Sequence, residues 1–134
     1  GLNLAEANIH SPIKQTWLSE LGTQQFERLS QPINLLSVMH CKQKYLVIDY
    51  FEQCFLVQQS HLIDLITEDN LSKSDDIDID KLLQGSYRLL IFNEDQPLNE
   101  MIAELNQIDV AGFLLNSSPS VLVTRQQVIT YLSK

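Results

Sequence analysis

The residues best suited to do chemistry are two thiols and two imidazoles: His40-Cys41, Cys54 and His61. Drawn together they would make a zinc site. Structural zinc sites announce themselves by closely spaced ligand pairs, and no C-x-x-C or H-x-x-x-H occurs here. A thiol nucleophile beside a histidine is the other reading. Cys54 opens an apolar run, where a free thiol is an inert small hydrophobe. No oxyanion donor or third orienting group is marked. A third cluster is Asp75, Asp76, Asp78 and Asp80. An EF-hand loop needs Gly at its sixth position and Glu at its twelfth. Counted from Asp75, those places hold Asp80 and Ser86, so the expectation is a solvated acidic loop. Metal ligation and catalysis are therefore both expected to be absent.

These residues must be positioned by elements that come in two copies. Ser30-Gln31-Pro32-Ile33-Asn34 recurs as Asp95-Gln96-Pro97-Leu98-Asn99, 65 residues on (95 − 30). Each copy continues through an apolar-periodic stretch, an apolar run, a polar turn and a second apolar run. Each closes on a helix-like tail, His61 to Ile66 in one and Gln127 to Leu132 in the other. An internal repeat constrains architecture before any propensity does.

In the first copy Ile33, Leu36, Met39 and His40 have helical spacing, with Ser30 as the expected cap. Tyr45–Ile48 and Cys54–Val57 read as strands about a turn, and Ser60 is expected to cap a helix through Ile66. In the second copy Asp95 is the expected cap, with Leu98, Met101, Ile102 and Leu105 on one face. Phe113–Leu115 and Val121–Val123 are strands about Asn116–Ser120, a turn rich in the right residues. Residues 126–133 close it as a helix. Ahead of the repeat, Ser11 and Pro12 start a helix carrying Ile13, Trp17, Leu18 and Leu21, which Gly22 ends. Thr23 to Leu29 is expected to add a short helix. Ile79–Gln84 is a further short helix, and Tyr87–Phe92 is the strongest strand signal. The trial divisions are 1–29 as a helical arm, 30–66 as the first unit, 67–85 as an acidic connector and 86–134 as the second unit.

Composition bounds the function. A hydrophobic content of 44% with 19% charged residues belongs to a folded chain. The net charge of −8 and pI near 4.6 exclude the basic stripe of a nucleic-acid binder. No run of eighteen apolar residues would insert into a bilayer. Two cysteines and no visible signal peptide suit a reducing, cytoplasmic setting. An opening Gly in place of Met is expected of a fragment or a cloning remnant.

Helix, strand, strand, helix, taken twice with a leading strand such as Tyr87–Phe92, resembles the tandem cystathionine-β-synthase (CBS) domain pair, or Bateman module. The second copy carries the likeness best. Asp95-Gln96-Pro97-Leu98 is similar to the acidic-x-Pro-Leu helix opening, and Phe113 to Val128 to the strand–turn–strand–helix ending. The resemblance implies an α/β (α+β) fold of two pseudo-symmetric units. It also implies a non-catalytic regulatory role, homodimerisation, and adenine nucleotides as the cofactor class for the clefts.

In that family a Gly in the second strand is followed by a Ser/Thr and then an Asp that holds ribose. Thr124 matches the hydroxyl position, Gln127 stands where the Asp would be, and Val121 where the Gly would be. In the first copy those places hold Gln58, His61 and Phe55. The ligand residues the resemblance implies are thus Thr124, Gln127, His61 and Gln58, in a degenerate pattern. A Gln offers one acceptor oxygen where a carboxylate offers two. The alternative is a pure protein-interaction domain with no small-molecule ligand. Gly1-Leu2-Asn3-Leu4 and the helix after it resemble the cytoplasmic stretch before the CBS pair of prokaryotic chloride channel/transporter proteins. The partner so implied is the membrane or catalytic domain of a larger parent. The helices around Leu36–Met39, Leu62–Ile66, Met101–Leu105 and Val128–Leu132 are where core and dimer surface are both expected.

Overall fold

In a computed structural model of the chain, residues 15–30, 33–39, 41–72 and 75–133 are described. Their elements run α1 (Gln15–Leu21), β1 (Phe26–Ser30), α2 (Leu35–Met39), β2 (Tyr45–Tyr50), β3 (Gln53–Gln58), α3 (Gln59–Asp69), α4 (Ile79–Gln84), β4 (Tyr87–Asn93), α5 (Leu98–Glu104), β5 (Val110–Asn116), β6 (Val121–Thr124) and α6 (Arg125–Leu132). The class is mixed α/β, broadly α+β. Backbone packing divides the chain into two compact units, Gln25–Arg88 and the remainder from Leu89 on together with the segment before Gln25. We call them the middle unit and the terminal unit.

In the middle unit the strands are adjacent in the order β1, β2, β3. β1 and β2 are parallel, with α2 in the crossover between them. β2 and β3 form an antiparallel hairpin from Tyr45↔Gln58 to Tyr50↔Gln53. Side chains alternate across a strand, so Leu46, Ile48 and Val57 share one face. There they meet Val38 and Cys41 from the α2 region, Leu62 and Leu65 of α3, and Leu82 of α4 in one core cluster. Asn34 starts α2, its Oδ1 accepting from the Ser37 N–H at 2.8 Å. Asp78 starts α4 by accepting from the Asp80 N–H at 3.0 Å.

The acidic stretch lies inside this unit. Thr67–Asp69 belong to α3, and Ile33–Leu35 pair with Asp75–Ile77 through Leu35 N–H to Asp75 O (3.1 Å) and Ile77 N–H to Ile33 O (3.3 Å). Ile77 is buried while Asp75, Asp76 and Asp78 face solvent.

In the terminal unit β5 lies between β4 and β6 and pairs antiparallel with β6. Phe113, Leu115 and Val123 from the strands, Leu98, Met101 and Ile102 from α5, and Val128 from α6 close one core with Leu18 and Leu21 of α1. Phe92 and Phe113 pack with ring centroids 5.5 Å apart at a tilt of 58°, an arrangement aromatic quadrupoles favour. α1 is held to α6 through the Tyr131 hydroxyl, which donates to Glu20 at 3.0 Å.

Several local expectations change. Thr23–Leu29, expected as helix, contains most of β1, because tertiary pairing with β2 overrides a weak local preference. Ser30 ends that strand, and α2 begins at Leu35 with Asn34 as its capping acceptor. The cap of α3 is Gln58, not Ser60, and that of α5 is Pro97, not Asp95. The β2–β3 turn is tighter than expected, with only Phe51 and Glu52 between the paired strands. Expectations on Gly1, Ser11, Pro12, Ile13, Gln31, Pro32 and His40 lie outside the described residues, as does the side chain of Trp17.

Candidate functional site

The end of each hairpin becomes the start of a helix. Gln58 is paired with Tyr45 and is the N-cap of α3; Thr124 is paired with Gly112 and is the N-cap of α6. These are the two places to which the family pattern assigns a hydroxyl.

At Thr124 the local chemistry is complete. Its Oγ1 accepts from the Gln127 N–H at 3.3 Å. Gln127 Oε1 accepts in return from the Thr124 N–H at 2.8 Å and from its hydroxyl at 3.1 Å. This is a capping box, which satisfies orphan donors of the first helical turn. The other end of the Gln127 amide donates to the Leu21 carbonyl at 3.4 Å. Both side chains are therefore engaged within the fold. Gly112 lets β5 approach closely here, since a Cβ on it would overlap the Val123 carbonyl.

At Gln58 the arrangement differs. It makes no side-chain cap bond and its side chain is exposed. His61 turns away from it toward α4, its Nε2 lying 3.1 Å from the Leu82 carbonyl. A Cβ on Gly85 would overlap the imidazole, so that glycine makes the ring's seat. Thr124 and Gln127 thus come together, while Gln58 and His61 are drawn apart.

The thiols lie in different surroundings. Cys41 joins the middle-unit core and donates to the Ser37 carbonyl at 3.4 Å. Burial, then its proximity to Glu27, pushes its thiol up to about 11. Cys54 sits opposite Asp49 in the hairpin, on the other face of the sheet, and donates to Asp49 Oδ1 at 3.0 Å. Burial and that carboxylate push its thiol up to about 12. The thiolate is the reactive and metal-binding form, so both cysteines stay protonated near neutrality. Among the described residues no three His, Cys, Asp or Glu side chains converge as a metal cluster. Asp75 and Asp78 serve as local acceptors, for the Ser72 and Asp80 N–H groups.

One constellation escaped the sequence reading. Arg28 of β1 grips Asp49 of β2 with two bonds, Nε to Oδ2 at 2.7 Å and Nη2 to Oδ1 at 3.0 Å. With Cys54 this ties three strands together. Burial raises the Asp49 pKa, but the hydrogen bonds from Arg28 and Cys54 and the guanidinium charge outweigh it, so the carboxyl titrates below its ordinary range. The Asp49–Cys54 half follows from the hairpin once its two-residue turn is known. The Arg28 half depends on a parallel neighbour, which local pattern does not encode.

The helices expected to hold both core and dimer surface divide between the two. Leu62, Leu65, Met101, Ile102, Leu105 and Val128 are buried. Among the described side chains of these helices, Leu36 and Ile63, 50% and 54% exposed, are the large apolar ones presented outward. No helix among the described residues is long and apolar enough to cross a membrane.

No family model matches the chain, and no curated protein matches it. Among solved structures, an uncharacterized conserved protein from Pyrococcus horikoshii is 13% identical, with 96% of each chain covered and a TM-score of 0.47.

Proposed function

We propose that the chain is a non-catalytic regulatory and dimerisation module of a larger protein, built as a degenerate tandem CBS pair. The observation that carries this reading is the recurrence β–α–β–β–α, with a hairpin whose last residue occupies the N-cap position of the next helix in both units, Gln58 and Thr124. The raised thiols of Cys41 and Cys54 disfavour either cysteine as a thiolate nucleophile. Leu36 and Ile63 are the residues such a module would offer to a second copy. The parent in this reading is a chloride channel or transporter, with this module on its cytoplasmic side, as the resemblance of Gly1-Leu2-Asn3-Leu4 suggests. A full-length reading frame with a catalytic domain upstream would end it.

The capping box favours a second reading, a pure protein-interaction domain. A nucleotide at Thr124 and Gln127 would have to replace hydrogen bonds that already hold α6 and α1 in place. The two readings separate by melting temperature in ATP, ADP, AMP and S-adenosylmethionine. A ligand that binds only the folded state must raise it. No rise at millimolar ligand sinks nucleotide sensing and leaves the interaction domain. Sedimentation at high protein concentration tests dimerisation, and a monomer there would count against it.

A further inference from the structure

A cavity of about 270 Å³ opens in the terminal unit between the end of α1, the turn after β4 and the turn between β5 and β6. Its walls are of two kinds. Leu18, Pro119 and Val121 supply apolar surface, while Thr23 and Ser118 supply hydroxyls and Glu94 supplies a carboxylate. Among the described residues of the lining, Glu94 is the one that carries a charge. The Ser117 hydroxyl, also in the wall, donates to the Pro119 carbonyl at 2.8 Å and so shapes the turn. The cavity lies at the Val121 end of β6, three residues and about 10 Å along the strand from the Thr124 cap.

We propose that this cavity binds an alkylammonium group. An aliphatic stem would lie on Leu18, Pro119 and Val121, with the ammonium at Glu94 and the hydroxyls as further acceptors. Cations fit the chemistry on two scales. Locally, a carboxylate and hydroxyl oxygens accept hydrogen bonds from an ammonium, which carries three donors and no acceptor. Globally, a net charge of −8 raises the concentration of cations near the surface. An anion would be repelled, and a neutral alcohol would offer the carboxylate one donor and no charge. The same head group is offered by a free amine and by a lysine side chain.

The test is ¹⁵N-resolved NMR titration of the whole chain with n-pentylamine, Nα-acetyl-lysine amide, 1-pentanol and pentanoate. Because Glu94 is exposed, binding should be weak, in the millimolar range. Shifts should centre on the amides of Thr23, Glu94, Ser118 and Val121. Pentylamine should bind about two- to fivefold tighter than pentanol, the range of an exposed ion pair. Glu94→Gln should erase that margin, and Ser118→Trp, which fills the cavity from a surface position, should abolish binding. Lysine amide binding as tightly as pentylamine would assign the site to a protein's lysine; a preference for pentylamine would assign it to a free amine. Equal binding of amine and alcohol, indifference to Glu94→Gln, or no shifts at tens of millimolar amine would each overturn the proposal.

Discussion

The two hairpins of this chain follow one plan and are finished in opposite ways. In the terminal unit the hairpin is locally at ease. Its turn is made of Asn, Ser and Pro, its partner position is a Gly that permits close approach, and its last residue caps α6 through a reciprocal box. In the middle unit the turn places Phe51 and Glu52 at φ of 48° and 63°, where Gly or Asn belongs. The cap position is a Gln that caps nothing. What compensates is long-range: Arg28, Asp49 and Cys54 bind the three strands side to side. One unit draws its hairpin geometry from local residue choice, the other from contacts distant in sequence.

The largest test of that contrast is Gly112→Ala. The new methyl must displace the Val123 carbonyl and the Thr124 backbone, an overpacking cost of about 1–3 kcal/mol in urea unfolding. The register equivalent in the middle unit is Tyr45, where Tyr45→Ala meets no such obstacle. A Gly112→Ala variant as stable as wild type would show that the close approach is not required.

Next come the caps. Thr124→Ala should cost about 1 kcal/mol, within the usual range for a lost cap. Gln58→Thr should raise stability by roughly half that, because it supplies the side-chain acceptor α3 lacks. If both substitutions destabilise alike, Gln58 has a role the structure does not display.

The hairpin turn should respond with the opposite sign. Left-handed backbone costs an ordinary residue about 1–2 kcal/mol, partly offset when Gly adds unfolded-state entropy. The double variant Phe51→Asn/Glu52→Gly should therefore stabilise the chain by about 1 kcal/mol. Phe51 is 84% exposed, so its loss removes little packing beyond its edge-on contact with the Tyr50 ring, centroids 4.5 Å apart. A destabilised variant would mean that the ring contributes to the fold after all.

The smallest effect is pH dependence. The folded Asp49 titrates below its unfolded value, so its stabilisation is present above the ordinary carboxylate pKa and is lost as pH falls through the depressed one. Asp49→Asn should flatten the fall in melting temperature below about pH 4. Cys54 behaves inversely: stabilisation is full below the unfolded thiol pKa, about 8.5, and is lost as pH rises toward about 12. Cys54→Ala should flatten that alkaline limb.

Much of the element order was legible before the structure. Ile79–Gln84 is the helix expected, and β4, β5 and β6 contain the runs from which strands were read. These segments carry strong apolar patterns bounded by turn residues, so local and global preferences agree. β1 was not legible. Phe26-Glu27-Arg28-Leu29-Ser30 has mixed periodicity, and its strand state depends on β2 lying parallel beside it. The candidate site was legible only as residue types. That Gln127 answers Thr124 is written in the spacing of a capping box, whereas the turn of His61 toward Leu82 depends on where α4 packs.

What the sequence determined by itself is the helix–strand–strand–helix order that occurs in both halves, because apolar periodicity and turn chemistry act over a few residues. Tertiary structure decided the state of each reactive group. It buried both thiols, locked Asp49 to Arg28, and seated His61 against the Leu82 carbonyl. Burial and hydrogen-bond partnership depend on neighbours brought together from distant positions, and those distances in sequence carry no local signal.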